Sequence, residues 1–132
     1  MVLSLLSLNV NGLKDKKKRQ TLFQWIKDNN VDICLLQETH CCTLSESRLY
    51  SNEWGGKCYW VLGTNSSKGV ACLIKQNLDI NIVSEEGCNE GRFQKIELEI
   101  DELKLSVMNI YAPNKVCDRK IFFMQLNKKG KE

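Results

Sequence analysis

Residues 2–40 read VLSLLSLNVNGLKDKKKRQTLFQWIKDNNVDICLLQETH, and the change of pattern inside this stretch decides the fold. Over 2–11, Leu3, Leu5, Ser7, Asn9 and Asn11 share one strand face, while Val2, Ser4, Leu6, Leu8 and Val10 share the other. Apolar residues on both faces predict a central strand covered on both sides. Gly12 ends it, and Asp15 is placed to cap a helix over 16–29. Leu22, Trp25, Ile26 and Asn29 form a stripe at helical spacing, so Trp25 is assigned to the core. Asn29–Asn30 ends the helix, and Val31–Gln37 forms a second buried strand. Strand, helix and strand in this span make a βαβ unit, whose two strands run parallel through a right-handed crossover.

Working outward, residues 44–50 form a short helix before the Gly55–Gly56 break. Strands follow over 57–62 and 69–75, joined by the polar turn 63–68, with a further strand over 79–84. Residues 92–100 alternate, with Gln94, Ile96, Leu98 and Ile100 opposite Phe93, Lys95, Glu97 and Glu99. The Asp101–Glu102 turn leads into a strand over 103–111, making an antiparallel hairpin. Pro113 closes that strand, and Asn114 is placed to cap a helix over 115–128.

The 132 residues are 42% hydrophobic and 27% charged, with eight Gly and one Pro. This suits a globular domain and excludes collagen, mucin-like stalks and wholesale disorder. A formal charge of +3 is too small to identify a partner, but its distribution is uneven. Residues 14–19 read KDKKKR, while 85–102 lean acidic. Seven cysteines without a CxxC spacing, and a single histidine, argue for a reducing, intracellular setting without a structural metal. The apolar opening lacks the basic flank of a leader and is too short to span a membrane.

Ligand sites in such sheets form beyond the carboxyl ends of strands. Three of those ends are polar: Asn9-Val10-Asn11, Gln37-Glu38-Thr39-His40 and Asn109-Ile110-Tyr111-Ala112-Pro113-Asn114. Parallel neighbours bring Asn9, Asn11 and Glu38 together. One carboxylate among amides suits Mg²⁺, which keeps waters and takes phosphate oxygens. Each residue also has a plainer reading: an Asx-turn for Asn11, a solvated surface position for Glu38, a core aromatic for Tyr111. The run Lys16, Lys17, Lys18 and Arg19 opposes the helix dipole, a cost that a phosphate contact explains. The plainer reading there is a solvated helix start.

The strings SLNVNGL (7–13), DICLLQETH (32–40) and NIYAPN (109–114), in this order, resemble the endonuclease/exonuclease/phosphatase superfamily. The wording is most similar to the apurinic-like endonuclease domain of non-LTR (LINE-type) retrotransposon proteins. The resemblance implies a four-layer α/β sandwich, of which this chain supplies the first half: a mixed, mostly antiparallel sheet with helices on one face, its other face left open. It implies that Asn9 and Tyr111 are catalytic and reach the scissile phosphate, and that Glu38 binds the metal, Mg²⁺ or alternatively Mn²⁺. Asn11, Asn114, His40, Lys16, Lys17, Lys18 and Arg19 are expected on the DNA side, with a place behind the site, or no role in it, as the alternatives for His40. The family's later Asp and Ser-Asp-His motifs have no counterpart here: after Pro113 the acidic residues are Asp118 and Glu132, and no histidine follows.

The expected function is Mg²⁺-dependent hydrolysis of DNA phosphodiesters, with these 132 residues inactive alone. Expected partners are DNA, the remainder of the domain and a downstream reverse transcriptase, but no membrane; the full-length protein is expected in the nucleus. The alternatives are a non-catalytic remnant that binds nucleic acid, and, more weakly, a phosphatase of the same superfamily.

Overall fold

In the computed structural model, which describes residues 3–88 and 90–112, the opening βαβ unit forms as its pattern predicts. Strand β1 (Leu5–Asn9) lies parallel to β2 (Ile33–Gln37), with Asn9 opposite Gln37. The crossover helix α1 (Lys16–Asp28) starts at Asp15, whose carboxylate accepts from the Lys17 and Lys18 amides at 2.9 and 3.3 Å. Helix α2 (Leu44–Trp54) runs one turn beyond the predicted 44–50, because Gly55 at φ 87° supplies the left-handed C-terminal cap.

Strands β3 (Cys58–Val61) and β4 (Val70–Ile74) then add antiparallel to β2, giving the order β1-β2-β4-β3. Both helices pack on one face of this mixed sheet. Phe23 and Ile26 of α1 and Tyr50 and Trp54 of α2 meet Cys34, Leu36, Ala71 and Leu73 there. The Trp54 indole N–H donates to the Ile74 carbonyl at 2.8 Å, so its polar atom enters the core satisfied.

Three expectations need correction. The chain holds strands of two sheets rather than one. Strands β5 (Asn81–Gly87), β6 (Phe93–Ile100) and β7 (Leu103–Ile110) form a separate antiparallel sheet, with the predicted hairpin turning at Asp101 and Glu102. It lies against the helix-free face of the first sheet, where Ile96, Leu98 and Ile100 pack on Ile33, Cys72 and Ile74. That face is therefore covered over β2 and β4 rather than open.

The second correction concerns β1, which among the described residues pairs only with β2 and lies at the edge of the sheet they form. Its even positions meet the helices, but Leu5, Ser7 and Asn9 stay exposed because the small sheet does not extend over them. The third concerns Trp25, which is 49% exposed. The buried stripe of α1 is Arg19, Phe23 and Ile26, which shares Ile26 with the expected one, while Leu22 is partly buried against the same core. Pro113, Asn114 and the helix expected over 115–128 lie outside the described residues. Among the described residues, no helix is long and apolar enough to cross a membrane.

Candidate functional site

The parallel register of β1 and β2 sets the site. With Asn9 opposite Gln37, the two chains leave the sheet side by side, and Val10 N–H donates to the Gln37 carbonyl at 3.0 Å. Pairing continues past the strands through Gly12 N–H to Glu38 O at 2.7 Å and Leu13 N–H to Thr39 O at 2.9 Å. On the other side, Thr39 and His40 N–H donate to the Gly69 and Lys68 carbonyls, both at 3.0 Å. The turn 38–40 is thus clamped from both flanks.

The clamping offsets a backbone cost. Glu38 at φ 54°, His40 at φ 57° and Asn11 at φ 47° are left-handed non-glycine residues, an arrangement that costs roughly 1–3 kcal/mol each and persists only when surroundings impose it. Gly69 makes the close approach possible. At φ 91°, its absent Cβ would stand 2.4 Å from the Thr39 hydroxyl oxygen.

Within this frame the Asn9 side-chain amide donates to Glu38 Oε2 at 2.9 Å, while its carbonyl oxygen accepts from Asn11 N–H at 3.1 Å. The Asx-turn here is thus made by the Asn9 side chain rather than by that of Asn11, whose backbone carbonyl accepts from Lys18 Nζ at 3.1 Å. The Asn9–Glu38 contact joins the two sequence motifs directly. His40 lies beside them, with Nε2 3.7 Å from Glu38 Oε1 and its side chain only 13% exposed. It backs the carboxylate rather than facing solvent.

The third motif arrives through a buried polar hub that sequence reasoning passed over. Asn109 is 1% exposed. Its Oδ1 accepts from Gln37 Nε2 at 2.8 Å, and its Nδ2 lies 3.0 Å from each of Leu36 O, Ala71 O and Gln94 Oε1. Gln37 Nε2 also reaches Ser7 Oγ at 3.0 Å, and Gln94 Nε2 donates to Tyr59 O at 3.0 Å. This network stitches the two sheets together next to Glu38 and two residues before Tyr111. Tyr111 N–H donates to Arg92 O at 2.8 Å, and the Arg92 guanidinium lies 5.2 Å from its ring centroid. The available signal was the placement of Gln37, Gln94 and Asn109 on otherwise apolar, inward strand faces, where amides must be paired.

The basic run divides. Lys16, Lys17 and Lys18 are exposed at the start of α1, and Lys18 reaches the Asn11 carbonyl. Arg19 is 4% exposed and turned inward: Nε and Nη2 donate to the Glu53 carboxylate at 2.8 and 3.2 Å, and Nη1 to Leu13 O and Lys14 O, both at 2.9 Å. Its guanidinium also stacks 4.2 Å over the Tyr50 ring. Arg19 fastens α1 to α2 and cannot meet DNA without leaving that seat. Lys14 is engaged too, with Glu46 at 3.2 Å and with Asn65. Burial alone would raise the Glu46 carboxyl, but the Cys42 amide and thiol and the Lys14 ammonium outweigh it and bring it down to about 2.

Among the described residues, no group of three or more His, Cys, Asp or Glu side chains converges to hold a metal through protein ligands alone. Glu38 is a lone carboxylate with a neutral amide on one oxygen. That donor set fits a hard cation that keeps several waters and takes phosphate oxygens, and it does not fit zinc. Burial pushes the Cys34, Cys41, Cys58 and Cys72 thiols up to about 12, as suits packing residues rather than thiolate ligands.

Comparison with known proteins gives the family and the fold. The chain is 26% identical over 127 residues to the Transposon TX1 uncharacterized 149 kDa protein of Xenopus laevis, a match that covers 96% of this chain and 10% of that protein. It is 28% identical over 116 residues to the Exodeoxyribonuclease of Bacillus subtilis (strain 168), covering 85% of this chain and 43% of the enzyme. It therefore spans under half the length of either relative. Its fold is that of D. rerio TDP2, solved in complex with single strand DNA product: TM-score 0.67 and 18% identity, over 98% of this chain and 55% of that one. The sequence model of the Endonuclease/Exonuclease/phosphatase family matches residues 6–127, and the chain belongs to that family.

Proposed function

We propose that this chain carries the metal-side and phosphate-side part of a retrotransposon-type DNA endonuclease site. The observation that carries the reading is the Asn9–Glu38 contact at the ends of two parallel strands, with Lys16, Lys17 and Lys18 exposed alongside. In this reading Glu38 would hold Mg²⁺, with Mn²⁺ able to substitute, and the bound ion would supply Lewis-acid stabilisation of charge on a phosphate oxygen. Asn9 fixes the carboxylate through Oε2 and presents its amide to the scissile phosphate. Tyr111 approaches the same phosphate from β7, and Asn11 with the three lysines holds the flanking backbone. Asn114, the next polar residue of the NIYAPN motif, belongs to the same surface in this reading.

These residues bind, orient and stabilise charge, but none is a general base for the attacking water. General acid–base groups contribute about 10²–10⁴-fold, so the 132 residues alone bind DNA without cutting it efficiently. In the full-length protein the remaining part of the domain completes the site, and a reverse transcriptase and the nucleus are its setting. The transposon relative and the nuclease relative favour this reading over that of a phosphatase.

DNA binding as a function of salt tests it. Changing Lys16, Lys17 and Lys18 together to Gln is expected to flatten the slope of log K against log salt by about 0.9 per lost phosphate contact, with folding unaffected. In Mg²⁺ the unmodified chain is expected to leave supercoiled plasmid essentially intact. An unchanged slope, or strong nicking abolished by Glu38→Ala, would overturn the corresponding half of the reading.

A further inference from the structure

We propose that His40 is a positioning residue that holds the Glu38 carboxylate through an Nε2–H donor; this rests on the reading of Glu38 as the metal-side carboxylate. Three independent observations meet at this imidazole. First, Nε2 is completely buried and has no hydrogen-bond partner, although it stands 3.7 Å from Glu38 Oε1. A buried polar atom left unpaired carries its full desolvation cost, and a carboxylate oxygen is the acceptor found beside it among the described residues. Second, the ring is seated in a notch that only glycine leaves open. A Cβ on Gly12, at φ 92°, would lie 2.8 Å from His40 Nδ1. Third, the backbone beneath it is fixed by the His40 N–H bond to Lys68 O and the Thr39 N–H bond to Gly69 O.

The imidazole is therefore the fixed partner and the carboxylate the adjustable one. Moving Oε1 by about 1 Å closes a charge-assisted N–H···O bond of ordinary length. Glu38 Oε2 already accepts from Asn9 at 2.9 Å. With Oε1 held by His40, the carboxylate is gripped by a nitrogen donor on each oxygen, and its remaining lone pairs are left for a cation. The arrangement also couples the motifs: Gly12 of the first string exists in this position to admit the histidine of the second. The required tautomer carries its proton on Nε2 and leaves Nδ1, which faces Gly12, unprotonated.

The test exploits the fact that His40 is the only histidine in the chain. A long-range ¹H–¹⁵N spectrum of the imidazole then reports one ring. The expected result is a single Nε2–H tautomer whose resonance moves on Glu38→Ala. A ring protonated on Nδ1, or averaging between tautomers, overturns the proposal without any reference to metal. In parallel, Mn²⁺ affinity is measured on the full chain from the signal of the free ion. His40→Ala is expected to weaken it about tenfold, as loss of a partner behind a metal ligand does. His40→Gln, which restores a side-chain N–H donor, recovers part of the loss. If Glu38-dependent Mn²⁺ binding is present and His40→Ala leaves it unchanged, the positioning role is wrong. If the unmodified chain shows no Glu38-dependent binding, it is the reading of Glu38 that fails, while the tautomer still reports on the hydrogen bond. The wild-type spectrum requires no variant to fold.

Discussion

Asn109→Leu is expected to destabilise the protein by about 3 kcal/mol and lower its melting temperature by about 10 °C. The substitution keeps the number and branching of the side chain's heavy atoms but exchanges amide atoms for bulkier methyls, so packing contributes without being the main term. The hydrogen bonds are. Leucine leaves Gln94 Oε1 and the Leu36 and Ala71 carbonyls without the donor they share, and Gln37 Nε2 loses one of its three acceptors. Buried polar atoms stripped of a partner incur their full desolvation cost, which exceeds the modest net value of the bonds when made. Because the hub ties β2 and β4 to β7, its loss also loosens the face-to-face packing of the sheets beside Glu38. Asn109→Asp should be no better, since a carboxylate would face two carbonyls and a side-chain oxygen. Thermal unfolding followed by circular dichroism reads the effect, and a loss below 1 kcal/mol would show that the network is dispensable.

The second large effect is expected for Arg19→Met, at about 3 kcal/mol, the low end for breaking a buried ion pair. The low end applies because Glu53 retains 20% side-chain exposure and can be partly rehydrated. Methionine keeps much of the aliphatic contact but removes the donors to Leu13 O, Lys14 O and Glu53. Adding Glu53→Gln should recover part of the loss, because the carboxylate then no longer needs its partner. The variant also separates two roles within one basic run. Arg19→Met should lower stability and leave the salt dependence of DNA binding unchanged, and the triple lysine variant should do the reverse. A flattened salt slope in Arg19→Met under folding conditions would return Arg19 to the DNA surface.

What the sequence revealed and what it concealed divide along physical lines. The βαβ opening was legible because strand and helix periods differ and Asp15, Gly12 and Asn29–Asn30 mark the boundaries. The Asn9–Glu38 meeting followed from parallel pairing alone, since neighbouring parallel strands end side by side. The hairpin over 92–111 was legible from the alternation of Ile96, Leu98 and Ile100. Edge or central placement was not. The apolar residues of β1 pointed to burial on both faces, but a strand's neighbours are decided by contacts distant in sequence. Trp25 and Arg19 were exchanged for the same reason: α1 turns its Arg19–Phe23–Ile26 line inward, and Glu53, distant in sequence, supplies the partner that makes a buried guanidinium tolerable. The Asn109 hub was hidden because an amide on an inward strand face gains its meaning only from what opposes it across the sheets.

The most direct test of the account is where a divalent ion binds. Mn²⁺ titrated into the ¹⁵N-labelled chain broadens amide signals by proximity, and the account predicts broadening centred on Asn9, Asn11 and Glu38 and reaching Tyr111, with Glu38→Gln abolishing it. Broadening centred elsewhere, for example on the acidic stretch 85–102, or a pattern unchanged by Glu38→Gln, would contradict it.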